Sequence, residues 1–228
     1  MQMITFYRMS GIIIIIVALG FTVSQIGITK IFNYPKILRS PIDIILQKYQ
    51  EGGAKLKLFW TCFAFSTLML IPLSVIFYKI LNRNDTPYLI IGTSFGIASG
   101  IFYVLGITRW VFLADNLSSK YINENTSSTI KETIEMIFES FHIYAGNSIG
   151  ETMGFICMGL WISISGVSMI GSEIISPVIG VGFIICGIGI FVGPFEWIGL
   201  KFTNKINKMS MKLLMVLLIY VGIRLTIY

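Results

Sequence analysis

Residues 141–161 read Phe141-His142-Ile143-Tyr144-Ala145-Gly146-Asn147-Ser148-Ile149-Gly150-Glu151-Thr152-Met153-Gly154-Phe155-Ile156-Cys157-Met158-Gly159-Leu160-Trp161. Continued to Ile170, the run is long and apolar enough to cross a hydrocarbon core about 30 Å thick, which takes about 20 residues. It carries the only histidine of the chain and places Glu151 inside hydrophobic sequence. Gly146, Gly150 and Gly154 recur every fourth residue, so one helix face is nearly bare and can approach a neighbouring backbone closely. An ionisable side chain is costly in lipid unless it finds a partner, which makes Glu151 a functional-site candidate.

The rest of the chain has the same character. Of 228 residues, 55% are hydrophobic and 12% charged, against about 25% charged in a soluble domain. Further apolar runs predict an all-α polytopic transmembrane bundle forming a single domain, 1–228. Six spans are expected, at about 6–28, 57–80, 87–114, 143–170, 175–195 and 209–227. Alternation every second residue, the mark of a β-barrel strand, is absent. The N-terminal run lacks small residues at the offsets of a signal cleavage site, so it reads as the first span.

Two loops carry amphipathic helices. In loop one, Ser40-Pro41 with Asp43 reads as a helix start, Ile42, Ile45 and Tyr49 form a stripe, and Gly52-Gly53 ends it. That helix either lies on the membrane surface or packs on the bundle. In loop three, Thr129 with Glu132 reads as a capping box that starts a second such helix feeding span four. Pro72 is expected to kink span two.

Thirteen of the 17 basic residues fall on the side of loops one, three and five. The positive-inside rule makes that side, called here the first face, cytoplasmic in a multi-pass cell-membrane protein. Trp60, Trp110 and Trp197 are expected to form an interfacial belt there. The net charge of +6 thus meets lipid headgroups, and no basic face on a soluble element suggests nucleic acid. Cys62, Cys157 and Cys186 show no metal or redox spacing.

The topology gathers a polar cluster at the first face: Arg109 late in span three, His142, Asn147 and Glu151 in span four, and Glu196 after span five. At 1.5 Å per residue, Glu151 lies roughly 12 Å from its span end and Arg109 roughly 7 Å from its own. Opposite charges at similar depth on adjacent antiparallel spans are expected to meet, with Glu196 the other candidate for Arg109. On an α-helical wheel Tyr144, Asn147 and Glu151 share a face, and His142 lies half a turn away beside Gly146. Gly92, Gly96 and Gly100 form a second glycine ladder in span three, expected to pack on that of span four.

Most enzyme classes lack their parts. One histidine cannot supply a zinc hydrolase or bis-histidine haem, and it precedes the serines an intramembrane serine protease would need it to activate. No phosphate-binding glycine loop is present. No metal site, cofactor or catalytic residue is assigned.

Three places carry a family resemblance: Ser40-Pro41-Ile42-Asp43-Ile44-Ile45 with Phe59-Trp60; Leu105-Gly106-Ile107-Thr108-Arg109-Trp110; and Phe141-His142-x-Tyr144-x-Gly146-x-x-x-Gly150-Glu151-x-x-Gly154 with Gly159-Leu160-Trp161. The sequence resembles the bacterial six-span membrane family catalogued as domain of unknown function 4386. The resemblance puts weight on Arg109, His142, Gly150 and Glu151 and implies no activity. Three functional readings stand. The first is a non-enzymatic membrane protein whose polar cluster binds a small ligand, a lipid headgroup or a partner subunit. The second is a small transporter or channel, monomeric or oligomeric, using Glu151 as a proton or cation site. The third is an intramembrane enzyme with Glu151 as acid or base.

Overall fold

The computed structural model describes residues 2–228, and every regular element among them is helical. Six helical stretches are long and apolar enough to cross a membrane: Met3–Phe32, Ile42–Leu81, Leu89–Tyr121, Ser128–Ile170, Pro177–Ile198 and Phe202–Ile227, spans one to six. Each span packs on its neighbours in sequence, and span one closes the ring against span six. Short connections between antiparallel neighbours lead to this up-and-down arrangement.

The spans run further than hydropathy implies. Span one continues to Phe32, and the loop-one helix is not separate but the start of span two. Gly53, at φ 53° and ψ −152°, divides the two parts; this left-handed backbone suits a residue without a Cβ. Ile45, Leu46 and Tyr49 are buried, so the stripe packs on the bundle and not on the membrane surface. The helix begins at Ile42, with Pro41 and not Ser40 in the flanking position. Pro72 lacks the N–H that would bond to Leu68, and the helix breaks at Met69 between Leu68 and Leu70.

The loop-three helix starts two residues earlier than the capping box implied. Ser127 is the cap, its hydroxyl accepting from the Ile130 N–H at 3.4 Å. From Ser128 the chain stays helical to Ile170, so this helix and span four are one rod.

Two apolar cores fill the ring. The larger joins Phe77, Trp161, Phe183 and aliphatic side chains from all six spans. The smaller lies toward the first face and is aromatic: Phe32, Tyr49, Trp60, Trp110 and Phe138. Trp60 and Trp110 are both 0% exposed. Their rings stack 4.9 Å apart, 10° from parallel. These two tryptophans are therefore core residues and not an interfacial belt. Trp197 is 55% exposed.

Glycines set the closest approaches. A Cβ on Gly166 would lie 2.6 Å from the Gly180 carbonyl oxygen, and one on Gly180 would lie 2.7 Å from that of Gly166. Gly159 meets Gly187 in the same way, and a Cβ on Gly11 of span one would press on the Gly222 carbonyl oxygen of span six, so glycines bring spans four and five, and spans one and six, into close backbone contact.

Candidate functional site

Spans three and four both leave the α-helical path where they cross. Arg109–Leu113 and His142–Met153 are π-helical. A π-helix bonds each N–H five residues back, is rare, and is concentrated at functional sites. Each segment reroutes its backbone groups. The Tyr49 hydroxyl donates to the Trp110 carbonyl, and Thr152 Oγ1 donates to the Asn147 carbonyl at 2.8 Å.

The crossing is built on glycine. A Cβ on Gly150 would lie 3.0 Å from the Gly106 Cα, and one on Gly106 would lie 2.7 Å from the Gly150 Cα. Gly150 thus meets Gly106, outside the span-three ladder. Within that ladder Gly92 faces Ile164, Gly96 lies between Ser74 and Trp161, and Gly100 faces Ile71 of span two. Gly154 faces the Tyr103 ring. Gly146 leaves room for Arg109, since a Cβ there would stand 2.5 Å from the guanidinium carbon.

Arg109 is 8% exposed and turned into the protein. Its Nη1 donates to the Gly106 carbonyl, while Nε has no hydrogen-bond partner. The guanidinium lies 5.2 Å from the Trp110 ring centroid. Trp60 Nε1, Trp110 Nε1, Tyr103 Oη and His142 Nδ1 are also buried without hydrogen-bond partners. His142 stacks on Phe138 at 5.8 Å and lies 5.9 Å from Trp110.

Among the described residues, no ion pair within 4.0 Å joins Arg109 to Glu151. The Glu151 carboxylate has no hydrogen bond there either. The two charges remain within electrostatic range of each other, and Tyr34 and Tyr103 also feel Glu151. Tyr34 lies in the loop after span one with its ring against Trp60. Burial, helped by Glu151, raises the Tyr34 phenol well above its ordinary value, so it stays a neutral donor. Glu196 does not serve Arg109. One of its oxygens accepts from Arg39 at 3.5 Å and the other from Asn204.

The α-helical wheel fails in span four. A π-helix turns about 80° per residue where an α-helix turns 100°, so nine residues bring the chain back to about the same face. On that winding His142 and Glu151 fall on about the same face and not on opposite ones. Tyr144, 66% exposed, faces outward and leaves this face to His142, Asn147 and Glu151. Among the described residues no cluster of three or more His, Cys, Asp or Glu could hold a metal ion.

The model of the family described as domain of unknown function (DUF4386) matches residues 9–227. The chain belongs to the DUF4386 family. No curated protein and no solved structure matches it. The match spans both π-helical segments and every residue of the polar cluster in this DUF4386 protein. Tyr34 and Tyr103 escaped the sequence reading, because an isolated tyrosine carries no pattern of its own, and Trp60 and Trp110 were read as interfacial where they are buried. The repeated glycines around Gly106 and Gly150 were the available signal for the close crossing.

Proposed function

We propose that this DUF4386 protein is a membrane-embedded binding protein, and that the crossing of spans three and four receives a small molecule through the first face. The observation that carries the reading is the set of unpartnered buried donors around that crossing: Arg109 Nε, Trp60 Nε1 and Trp110 Nε1. Buried donors without partners cost free energy, and a ligand that supplies acceptors removes that cost. The ligand class is therefore a molecule with carbonyl, carboxylate or phosphate oxygens, its polar end between Arg109 and Glu151. Small molecules extracted from the purified protein and identified by mass spectrometry test this. The Arg109→Met/Glu151→Gln double variant should lose a species that the wild type retains. Identical extracts from the two proteins would refute the reading.

Transport is a second reading, favoured by one observation. Toward the opposite face, Ser99 and Ser165 carry further buried hydroxyls without hydrogen-bond partners. In proteoliposomes under a pH gradient, proton uptake that Glu151→Gln abolishes would establish transport over simple binding. We also propose that loops one, three and five are cytoplasmic, supported by the basic residues gathered there. In a background without Cys62, Cys157 and Cys186, single cysteines at Lys36 and Glu173 should label from opposite sides, Lys36 from the cytoplasm. Labelling from the inverted sides would reverse the orientation.

A further inference from the structure

A second polar feature opens at the first face, outside the crossing. Lys201, at the start of span six, is followed by Lys205, Lys208 and Lys212. Spacings of four, three and four put these residues on one helical stripe about 16 Å long. They line an open cleft of about 470 Å³ with Arg39 and Glu196. Among the described residues none of the four lysines lies within 4.0 Å of a carboxylate. Glu196 does not neutralise them. Its two oxygens are engaged by Arg39 and Asn204, which holds Arg39 on the opposite side of the cleft. Five cations thus converge on a space that contains one carboxylate, already committed.

Topology alone does not require this arrangement. The positive-inside rule counts lysines near span ends and is indifferent to the helix face they occupy. Concentrated unpaired ammonium groups match a phosphate, which offers several strong acceptor oxygens and up to two negative charges. The depth matches as well. Trp197, Ile198, Leu200 and Phe202, next to the cleft, are exposed, an apolar and aromatic collar suited to the interfacial layer.

We infer that the cleft between Arg39 and the lysine stripe of span six binds a phosphate group at headgroup depth. Its bearer is an anionic phospholipid or a soluble phosphate compound. The cleft adjoins the Arg109–Glu151 crossing, since Glu151 lies within electrostatic range of Glu196 and Lys208, but it is lined by other residues.

The test uses the full chain in detergent and native mass spectrometry with phosphatidic acid or phosphatidylcholine. Phosphatidic acid should be retained about tenfold more strongly. Replacing Lys201, Lys205, Lys208 and Lys212 together by Gln should erase the difference. Replacing Lys30, Lys36, Lys55 and Lys120, four first-face cations outside the cleft, should leave it intact. Arg109→Met/Glu151→Gln, which alters no residue lining the cleft, should retain the preference for phosphatidic acid with at most a small shift, so failure of the binding site at the crossing remains distinguishable from failure of this one. The second arm follows the melting temperature with inorganic pyrophosphate. Stabilisation by pyrophosphate without lipid preference assigns the cleft to a soluble phosphate compound, and lipid preference without that stabilisation assigns it to a headgroup. Both effects together support phosphate recognition from either source. If the quadruple variant fails to fold, Arg39→Gln and Lys208→Gln singly should each lower retention or pyrophosphate stabilisation severalfold. Absence of both effects in the wild type, or equal loss in the control variant, overturns the inference.

Discussion

Arg109 lies at the crossing, and its surroundings explain why Gly146 is a glycine. A methyl at Gly146 would press on the guanidinium, the mobile end of a long side chain. A methyl at Gly150 would press on the Gly106 backbone, which cannot move aside. We expect Gly150→Ala to destabilise the protein by about 1–3 kcal/mol and Gly146→Ala by less, the ordinary range for overpacking. Denaturant unfolding in detergent measures both, and the reverse order would mean that the spans cross elsewhere. Arg109 and Glu151 sense each other without touching, so their coupling should be real but weaker than that of a buried contact pair. In a double-mutant cycle Arg109→Met and Glu151→Gln should couple by about 1 kcal/mol. Strict additivity would mean that each charge is balanced by something else.

At the level of the element, the π-helical segments change which side chains share a face. They also strand backbone carbonyls that side chains must satisfy. Tyr49, on the first part of span two, reaches the Trp110 carbonyl in span three. Removing that hydroxyl leaves a buried acceptor unpaired, at a cost of about 1–3 kcal/mol. Tyr49→Phe should therefore lower the melting temperature although it preserves the ring packing against Phe32 and Trp110. No change in melting temperature would mean that water satisfies the carbonyl. Gly53 presents a different constraint, since its φ of 53° is open to glycine and strained for alanine. Nothing lies within 4 Å of a Cβ added there, so the loss in Gly53→Ala, about 1–2 kcal/mol, would come from backbone conformation alone.

For the molecule as a whole, closure of the ring brings distant segments together, as at the first face, where Arg39, after span one, reaches Glu196 at the end of span five. At the opposite face, Arg83 ties the connection between spans two and three to span four. Its Nη1 donates to the Ser168 carbonyl at 3.0 Å, and its Nε pairs with Asp85 at 3.0 Å. The hydrogen bond from Arg83 holds the exposed Asp85 carboxyl below its ordinary 3.8. A carboxylate depressed in the folded state stabilises above its unfolded value and loses that contribution as pH falls through the folded one. The wild type should thus melt slightly higher than Asp85→Asn above about pH 4, and the gap should close in more acid solution. A gap independent of pH would show that the charge of Asp85 is not what matters.

Sequence alone determined the six-span helical architecture, because the length and polarity of an apolar run are fixed by bilayer thickness and by the need of backbone groups for internal hydrogen bonds. It also marked Arg109, His142, Asn147 and Glu151, since ionisable and polar residues stand out in a hydrophobic background. Tertiary structure decided how they meet. An α-helical wheel put His142 and Glu151 on opposite sides, and the widened turn of the π-helix returns both to about the same face. Tertiary structure also turned Trp60 and Trp110 inward and engaged Glu196 with Arg39 and Asn204. These outcomes depend on helix winding and ring closure, which arise from contacts between spans and leave no period in the local sequence.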